Sequence, residues 1–278
     1  MINASVVNVA PQPVLLGKFR NVLLQLGSKA ARTEATLLGR SADGRDTLYY
    51  VPFEHMNCTA KLVVVGITPG PNQIDLAYQA AHASLKTGLA DDLVLERAKK
   101  AGSFGAKTMR PNLIKMLNFF GIPALLGITK ADDLWNLAGR DLHATSIVPH
   151  AAFRKGKPFA GTFEEVMTSK IFRECFERDF AATLPLMSSQ ARYIALGPTP
   201  LAALDWCCAQ GLLKADQILG AFAHPSSNGG SQVPVYLGER QIDDLSSGDP
   251  VRNRVWLIPL AERMWRSVAA WKASVVCA

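Results

Sequence analysis

Two short runs rich in glycine, proline and serine hold the residue types from which a ligand site could be built. Residues 66–71 read Gly-Ile-Thr-Pro-Gly-Pro after the apolar stretch 61–65, and residues 224–230 read His-Pro-Ser-Ser-Asn-Gly-Gly after the apolar stretch 218–223. The first run presents a stiff surface with few side chains, which a flat ligand or a phosphate can approach closely. The second offers an imidazole, two hydroxyls and several backbone N–H groups. Because ligands of open α/β sheets bind outside the carboxyl ends of the strands, we expect the two runs to form opposite walls of one site.

The composition is that of an ordinary soluble globular protein. The chain has 278 residues, of which 49% are hydrophobic and 19% charged, and this length suits one large domain or two small ones. The formal net charge of +7, from 30 Lys and Arg against 23 Asp and Glu, favours an anionic partner, nucleic acid above all. No apolar run approaches the roughly 20 residues that span a bilayer, and the amino terminus lacks the basic-then-apolar pattern of a secretory signal. We expect a cytoplasmic protein without a membrane partner, and a monomer.

Neither the cysteines nor the histidines are arranged as metal ligands. None of the five cysteines belongs to a C-x-x-C pair or a His-rich cluster, so the sequence encodes no recognisable zinc or iron–sulfur site. His55, His82, His143 and His150 likewise have no partner at metal-ligand spacing. The chain also lacks a G-x-S-x-G nucleophile elbow and a G-x-x-x-x-G-K-[ST] phosphate loop. We expect no metal and no cofactor.

Apolar runs alternate with helical patterns along the chain, which is typical of a mostly parallel sheet covered by helices on both faces. We predict strands at 62–67, 142–148, 193–196 and 218–223. We predict helices within 15–38, 75–101, 113–120, 172–180, 201–206 and 251–273, an exposed basic loop at 153–158 and a long surface loop at 228–250. The expected fold class is α/β, a three-layer α/β/α arrangement with a four-stranded, mostly parallel central sheet. We expect a single domain, residues 46–278, on which residues 1–45 pack as an arm and a helix.

With strands and loops in this order, the chain resembles the uracil-DNA glycosylase superfamily. Residues 66–71 look like the first signature of its mismatch-specific and single-strand-selective branches, roughly G-[IM]-N-P-G-P, and residues 224–227 look like the second, H-P-S-[PS]. Residues 195–204 are similar to the strand, glycine and Ala/Leu-rich helix that precede the second signature. The resemblance runs from about Tyr50 to Met264. It implies a uracil-DNA glycosylase-like fold that extrudes a nucleotide from DNA and hydrolyses the bond between base and sugar.

The resemblance implies two catalytic positions. His224 would donate a hydrogen bond to the O2 atom of the departing base and stabilise the anion that forms there. Thr68 stands where the similar branches carry Asn and another branch carries Asp, the residue that orients or activates the attacking water. A hydroxyl can hold a water, but it cannot accept a proton near pH 7 as a carboxylate does. The alternative is that Thr68 caps the turn structurally.

The resemblance also implies contacts to the extruded base. The base-binding positions are Gly66, Ile67, Pro69, Gln73, Phe104 and Ser146. Phe104 would stack on the base, although a lone Phe in a loop is more often part of a core. Ser146 stands where the family places an Asn that reads the uracil edge, and a hydroxyl reads that edge with less directional selectivity than an amide.

Contacts to the DNA backbone come from the two signature turns. The implied positions are Gly70, Pro71, Ser226, Ser227 and Asn228, which offer hydroxyls and backbone N–H groups that suit phosphate contact without reading sequence. Arg154, Lys155 and Lys157 could add charge, although a solvated basic loop is the plainer interpretation.

These residues predict a DNA glycosylase that acts on uracil or another deaminated base, as in base excision repair, with DNA as its partner. The alternative is a catalytically weak or inactive DNA-binding module of the same fold, because Thr68 and Ser146 replace two polar residues of the family. A third interpretation is an unrelated α/β enzyme that acts on a nucleotide or nucleoside.

Overall fold

A computed structural model describes residues 15–104, 108–136, 139–226 and 229–276. The strands are β1 (Leu37–Arg40), β2 (Asp46–Tyr49), β3 (Leu62–Gly66), β4 (Leu142–Ser146), β5 (Ala151–Arg154), β6 (Lys157–Pro158), β7 (Arg192–Leu196) and β8 (Ile218–Phe222). The α-helices are α1 (Leu16–Leu26), α2 (Pro71–Lys86), α3 (Asp91–Gly102), α4 (Met109–Phe119), α5 (Ile122–Leu126), α6 (Phe163–Thr168), α7 (Lys170–Asp179), α8 (Pro198–Ala209), α9 (Gln232–Tyr236) and α10 (Leu257–Val276). Short 3₁₀ turns join several of them.

The central sheet contains four parallel strands in the order β4-β3-β7-β8. Its strands are short apolar runs because both faces are covered. In β3, Leu62 and Val64 face one core, and Val63 and Val65 face another. Helices α4, α5, α9 and α10 contribute to the first core, and α6, α7 and α8 to the second. The predicted α/β class with a four-stranded parallel sheet and flanking helices is therefore confirmed.

A third apolar cluster places α1, α2 and α3 around the segment after β2. Tyr50 and Val51 are fully buried in this cluster, and the Tyr78 hydroxyl on α2 donates a 2.6 Å hydrogen bond to the Tyr50 carbonyl oxygen. The helix predicted within 15–38 is shorter than expected, since α1 ends at Leu26 and β1 begins at Leu37. Because β1 pairs with β2, the expected boundary between residues 45 and 46 falls inside a hairpin.

A second, antiparallel sheet in the order β1-β2-β5-β6 was not predicted. The segment 153–158, predicted to be an exposed loop, is instead part of the β5–β6 hairpin. Lys155 and Gly156 have φ angles of 51° and 73°, the positive values that a two-residue type I′ turn requires. Arg154 is not a free cation: it binds both carboxylate oxygens of Asp46, at 2.7 and 3.1 Å, and also Glu165.

The segment predicted as the long surface loop 228–250 is also more ordered than expected. It contains α9, whose Val233 and Tyr236 are buried. The Tyr236 hydroxyl donates a 2.8 Å hydrogen bond to the carbonyl oxygen of Ala221 in β8. Further along, Leu245 is buried in the same core. In the part of the chain described here, none of the helices has the length and apolar character needed to cross a membrane.

Candidate ligand-binding cleft

A cleft of about 760 Å³ opens where β3, β4 and β7 end. Residues 66–73, which leave β3 and begin α2, form one part of its lining, and His224 and Ser226 form another. The two runs singled out in the sequence therefore share one cavity, as predicted. The parallel strands explain this arrangement, since their carboxyl ends emerge along the same edge of the sheet.

The imidazole of His224 is held in one tautomer by its own turn. The backbone N–H of Ser226 donates to His224 Nδ1 at 3.3 Å, and the Ser226 hydroxyl oxygen lies 2.9 Å from the same atom. Because the N–H group can only donate, Nδ1 carries no proton and Nε2 carries it. Burial, together with the positive charge of Arg254, lowers the pKa of His224 below its usual value. The ring is therefore a neutral Nε2–H donor at pH 7.

The backbone of His224 is fixed by two residues that sequence reasoning missed. Gln232 donates from Nε2 to the His224 carbonyl oxygen at 2.5 Å, and Arg254 donates from Nη1 to Gln232 Oε1 at 2.7 Å and to the Gly229 carbonyl oxygen at 3.2 Å. Gln232 is only 2% exposed. Both residues lie in segments that were predicted as a surface loop or as part of a helix, so no motif drew attention to them.

The Thr68 hydroxyl is engaged in the fold. It donates to the His150 carbonyl oxygen at 2.7 Å and accepts from the Ala152 backbone N–H at 3.0 Å. Its single proton is therefore already used, and the first turn is tied to the beginning of β5. Thr68 still lines the cleft, and its oxygen retains one lone pair. This geometry favours the structural alternative for Thr68.

Gln73 also lines the cleft, with its amide bound to backbone atoms at both ends. Its Oε1 accepts from the Gly70 N–H at 2.9 Å, and its Nε2 donates to the Gly102 carbonyl oxygen at 3.1 Å. These bonds cap α2, which starts at Pro71, and join it to the end of α3. Among the described residues, one N–H and one lone pair of Gln73 have no partner.

Phe104 and Ser146 line the same cavity as the 66–71 turn and His224. Phe104 follows α3, is 4% exposed and has a φ of 51°, a left-handed value that is uncommon in residues other than glycine. Ser146 ends β4 beside Gly66, and a Cβ atom added to Gly66 would lie 3.4 Å from the Ser146 Oγ atom. Ile67, Pro69, Gly70 and Pro71 line the same cavity. The base-binding and catalytic roles of all these residues remain predictions.

Of the other residues predicted to contact the DNA backbone, some line the cleft and others do not. Ser226 lines the cleft, and Ser227 and Asn228 lie outside the described residues. Lys155 and Lys157 are exposed at the hairpin and do not belong to the lining. The hairpin instead contributes Pro158 and Phe159, and the segment before α10 contributes Trp256. Pro158 and Phe159 were missed because the hairpin was not predicted, and Trp256 because its segment was assigned to the last helix.

The charged side chains in the described lining of the cleft are all cationic. Among the described residues that line it, the formally charged side chains are Lys99 and Arg254, and none is a carboxylate. Lys99 is 7% exposed, and burial lowers its pKa to about 8. The described part of the chain contains no group of three or more His, Cys, Asp and Glu side chains that could hold a metal ion. The cleft therefore suits an anionic ligand with flat, apolar portions.

Fold and cleft define an α/β protein with a cationic cleft at the carboxyl edge of a parallel sheet. The chain belongs to the same family as the uncharacterized protein YoxB of Bacillus subtilis (strain 168). The two are 32% identical over 196 residues, which cover 70% of this chain and 76% of YoxB. No profile of a described family matches the chain, and no solved structure matches it.

Proposed function

We propose that this protein is a uracil-DNA glycosylase-like hydrolase. It cleaves the N-glycosidic bond of uracil or another deaminated base that has been extruded from DNA into the cleft. The observation that carries the proposal is the neutral His224 ring in the cavity that the 66–71 turn also lines: its Nδ1 is bound to Ser226, and its Nε2–H makes no hydrogen bond to any described residue. The order of the two signature turns, each after a strand of a four-stranded parallel sheet, supports the same fold family.

The proposed reaction is dissociative. As the bond between the sugar C1′ atom and the base breaks, its electron pair moves onto the base, and the His224 Nε2–H stabilises the negative charge. A preorganised donor of this kind is worth about 10²- to 10³-fold in rate. Water adds to the sugar cation at C1′ and releases its proton to solvent. Lys99 and Arg254 add positive charge to a lining whose described residues include no carboxylate.

A second candidate is a DNA-binding module of the same fold with little or no catalysis. The observation in its favour is the Thr68 hydroxyl, whose proton is donated to the His150 carbonyl oxygen. General-base assistance contributes about 10²- to 10⁴-fold in rate, and the described cleft lining holds no carboxylate to provide it. The module would bind extruded bases and leave the glycosidic bond intact.

The test is a single-turnover assay with the full chain. The substrates are oligonucleotides that carry one uracil, hypoxanthine or xanthine, in single- and double-stranded form, and the abasic product is detected by alkaline cleavage. We expect product from at least one substrate and a loss of about 10²-fold or more in His224→Ala. His82→Ala, which changes a histidine outside the cleft lining, should retain the wild-type rate.

The outcomes separate the candidates. Binding of the oligonucleotides without abasic product would favour the module. Product formation that His224→Ala leaves unchanged would contradict the role of His224. Tight binding of free nucleotides with no affinity for DNA would contradict both and favour an unrelated nucleotide enzyme.

A further inference from the structure

A second cavity, of about 410 Å³, lies behind one wall of the cleft. Lys99, Ser103 and Ala144 line both cavities, so this wall is shared. The proposed function assigns no role to the second cavity. Its described lining includes three cationic residues, Lys99, Lys100 and Arg140, and two of its polar side chains are more than nine-tenths buried.

The first of these side chains is His143 in β4, which is 8% exposed. Its Nδ1 accepts a 3.4 Å hydrogen bond from the Asn57 backbone N–H, so the proton of the neutral ring resides on Nε2. No hydrogen bond of Nε2 occurs within the described ranges, and the ring lines the cavity. Burial, followed by the positive charges of Lys99 and His55, lowers the pKa of His143 well below its usual value.

The second buried side chain is Lys99. Its ammonium group donates to the Phe53 carbonyl oxygen at 2.8 Å and lies 5.3 Å from the centre of the Phe53 ring. No carboxylate of the described residues lies within 4.0 Å of it. Glu54 is near enough to raise the pKa of Lys99, but burial raises the pKa of Glu54 itself to about 7. At neutral pH, Lys99 is therefore only partly compensated.

Cationic side chains outnumber carboxylates around the rest of this cavity. His55 lies on its wall, and Lys100 and Arg140 are exposed cations at its edge, whereas Glu96 is the single carboxylate among the described lining residues. Buried donors and cations that are only partly compensated are costly. A bound oxyanion would offset that cost, because it accepts hydrogen bonds from several donors at once.

We propose that the second cavity is a phosphate-binding site, in which the His143 Nε2–H and the Lys99 ammonium group donate to the phosphate oxygens. The ligand is either a free phosphate or phosphomonoester, or a phosphate group of a bound nucleic acid chain. Both sources have the same oxyanion chemistry. The proposal does not depend on the glycosylase activity, and its test contains no excision assay.

The test is an NMR titration of the full chain with labelled imidazole rings, with inorganic phosphate as the probe and chloride at matched ionic strength as the reference. The His143 signals are assigned by substituting each of the other four histidines in turn. We expect a saturable shift of the His143 signals with phosphate and none with chloride. Lys99→Met should weaken phosphate binding by about tenfold or more, and Lys86→Met, which removes an exposed lysine outside both cavities, should not.

Circular dichroism will show whether Lys99→Met folds. If it does not fold, the titration of the wild-type protein still tests the proposal. No saturable shift of His143, or a shift confined to His224, would overturn the proposal. A folded Lys99→Met variant with unchanged phosphate affinity would overturn the role of Lys99. A single-stranded oligonucleotide that displaces phosphate from His143 identifies a nucleic acid phosphate as the ligand. Simultaneous binding of both identifies a free phosphate.

Discussion

The side-chain amide of Gln232 donates a 2.5 Å hydrogen bond to the carbonyl oxygen of His224, so α9 fixes the backbone of the proposed catalytic histidine. Gln232→Leu keeps the approximate volume and removes the donor. A buried acceptor left without its partner costs about 1–3 kcal/mol, and we expect a loss of that size in the free energy of unfolding. Chemical denaturation measures it.

Gln241→Leu is the matched control, because Gln241 is exposed and its side chain makes no hydrogen bond within the described part of the chain. It should unfold like the wild type. If the Gln232 and Gln241 variants had the same free energy of unfolding, the hydrogen bond to His224 would not contribute to stability.

Position 229 requires glycine because the side chain of Gln232 packs too closely against it to leave room for a Cβ atom. A Cβ atom built on Gly229 would lie 1.7 Å from Gln232 Nε2 and 2.1 Å from its Cδ. The amide cannot move aside without breaking its bonds to His224 and Arg254. We expect Gly229→Ala to destabilise the protein by about 1–3 kcal/mol, as overpacking does. Gly248→Ala, with no neighbour within 4 Å of the added Cβ, should be tolerated, and equal melting temperatures for the two variants would refute this account.

Thr68 can be tested with a pair of substitutions. Thr68→Val removes the hydroxyl that joins the His150 carbonyl oxygen to the Ala152 N–H, and Thr68→Ser keeps it. We expect the Val variant to lose about 1–3 kcal/mol in the free energy of unfolding and the Ser variant clearly less. Thermal denaturation of the two variants and the wild type measures these differences in stability. A Val variant as stable as the wild type would show that the hydroxyl is not structural.

The parallel sheet was predictable because its strands are buried on both faces. Val63, Val64 and Val65 form a continuous apolar run, and such runs identify strands without any knowledge of the partner strands. The shared cleft followed from the same reasoning, since turns at the carboxyl ends of neighbouring parallel strands lie on one edge.

The antiparallel sheet could not be found in this way. Its strands have at most four residues and mixed burial, and its two hairpins are joined by the pairing of β2 with β5, whose partners are about 100 residues apart, such as Asp46 and Arg154. The local signals were the dipeptides Asp43-Gly44, between β1 and β2, and Lys155-Gly156, between β5 and β6, because such turns favour glycine. Gln232 and Arg254 were missed for a related reason: their role comes from contacts between segments, and neither belongs to a recognisable motif.

The buried His150 should make the protein less stable as the pH falls. It is 2% exposed, and its Nδ1 accepts from the Val51 N–H at 3.3 Å. Burial lowers its pKa to about 4 despite the opposing charge of Asp179, with Arg178 adding to the lowering. Below pH 6.5 the unfolded chain therefore binds a proton that the folded chain does not, and about 3 kcal/mol of stability is lost as the pH falls from 6.5 to about 4. His150→Gln should be less stable at pH 7 and should lose less stability over that range in denaturation experiments. The remaining slope combines losses from His143 and His224, whose pKa values burial also lowers, with an opposing gain from Glu54, whose raised pKa makes the folded chain bind that proton first. An unchanged slope in His150→Gln would exclude His150 as a source of the loss.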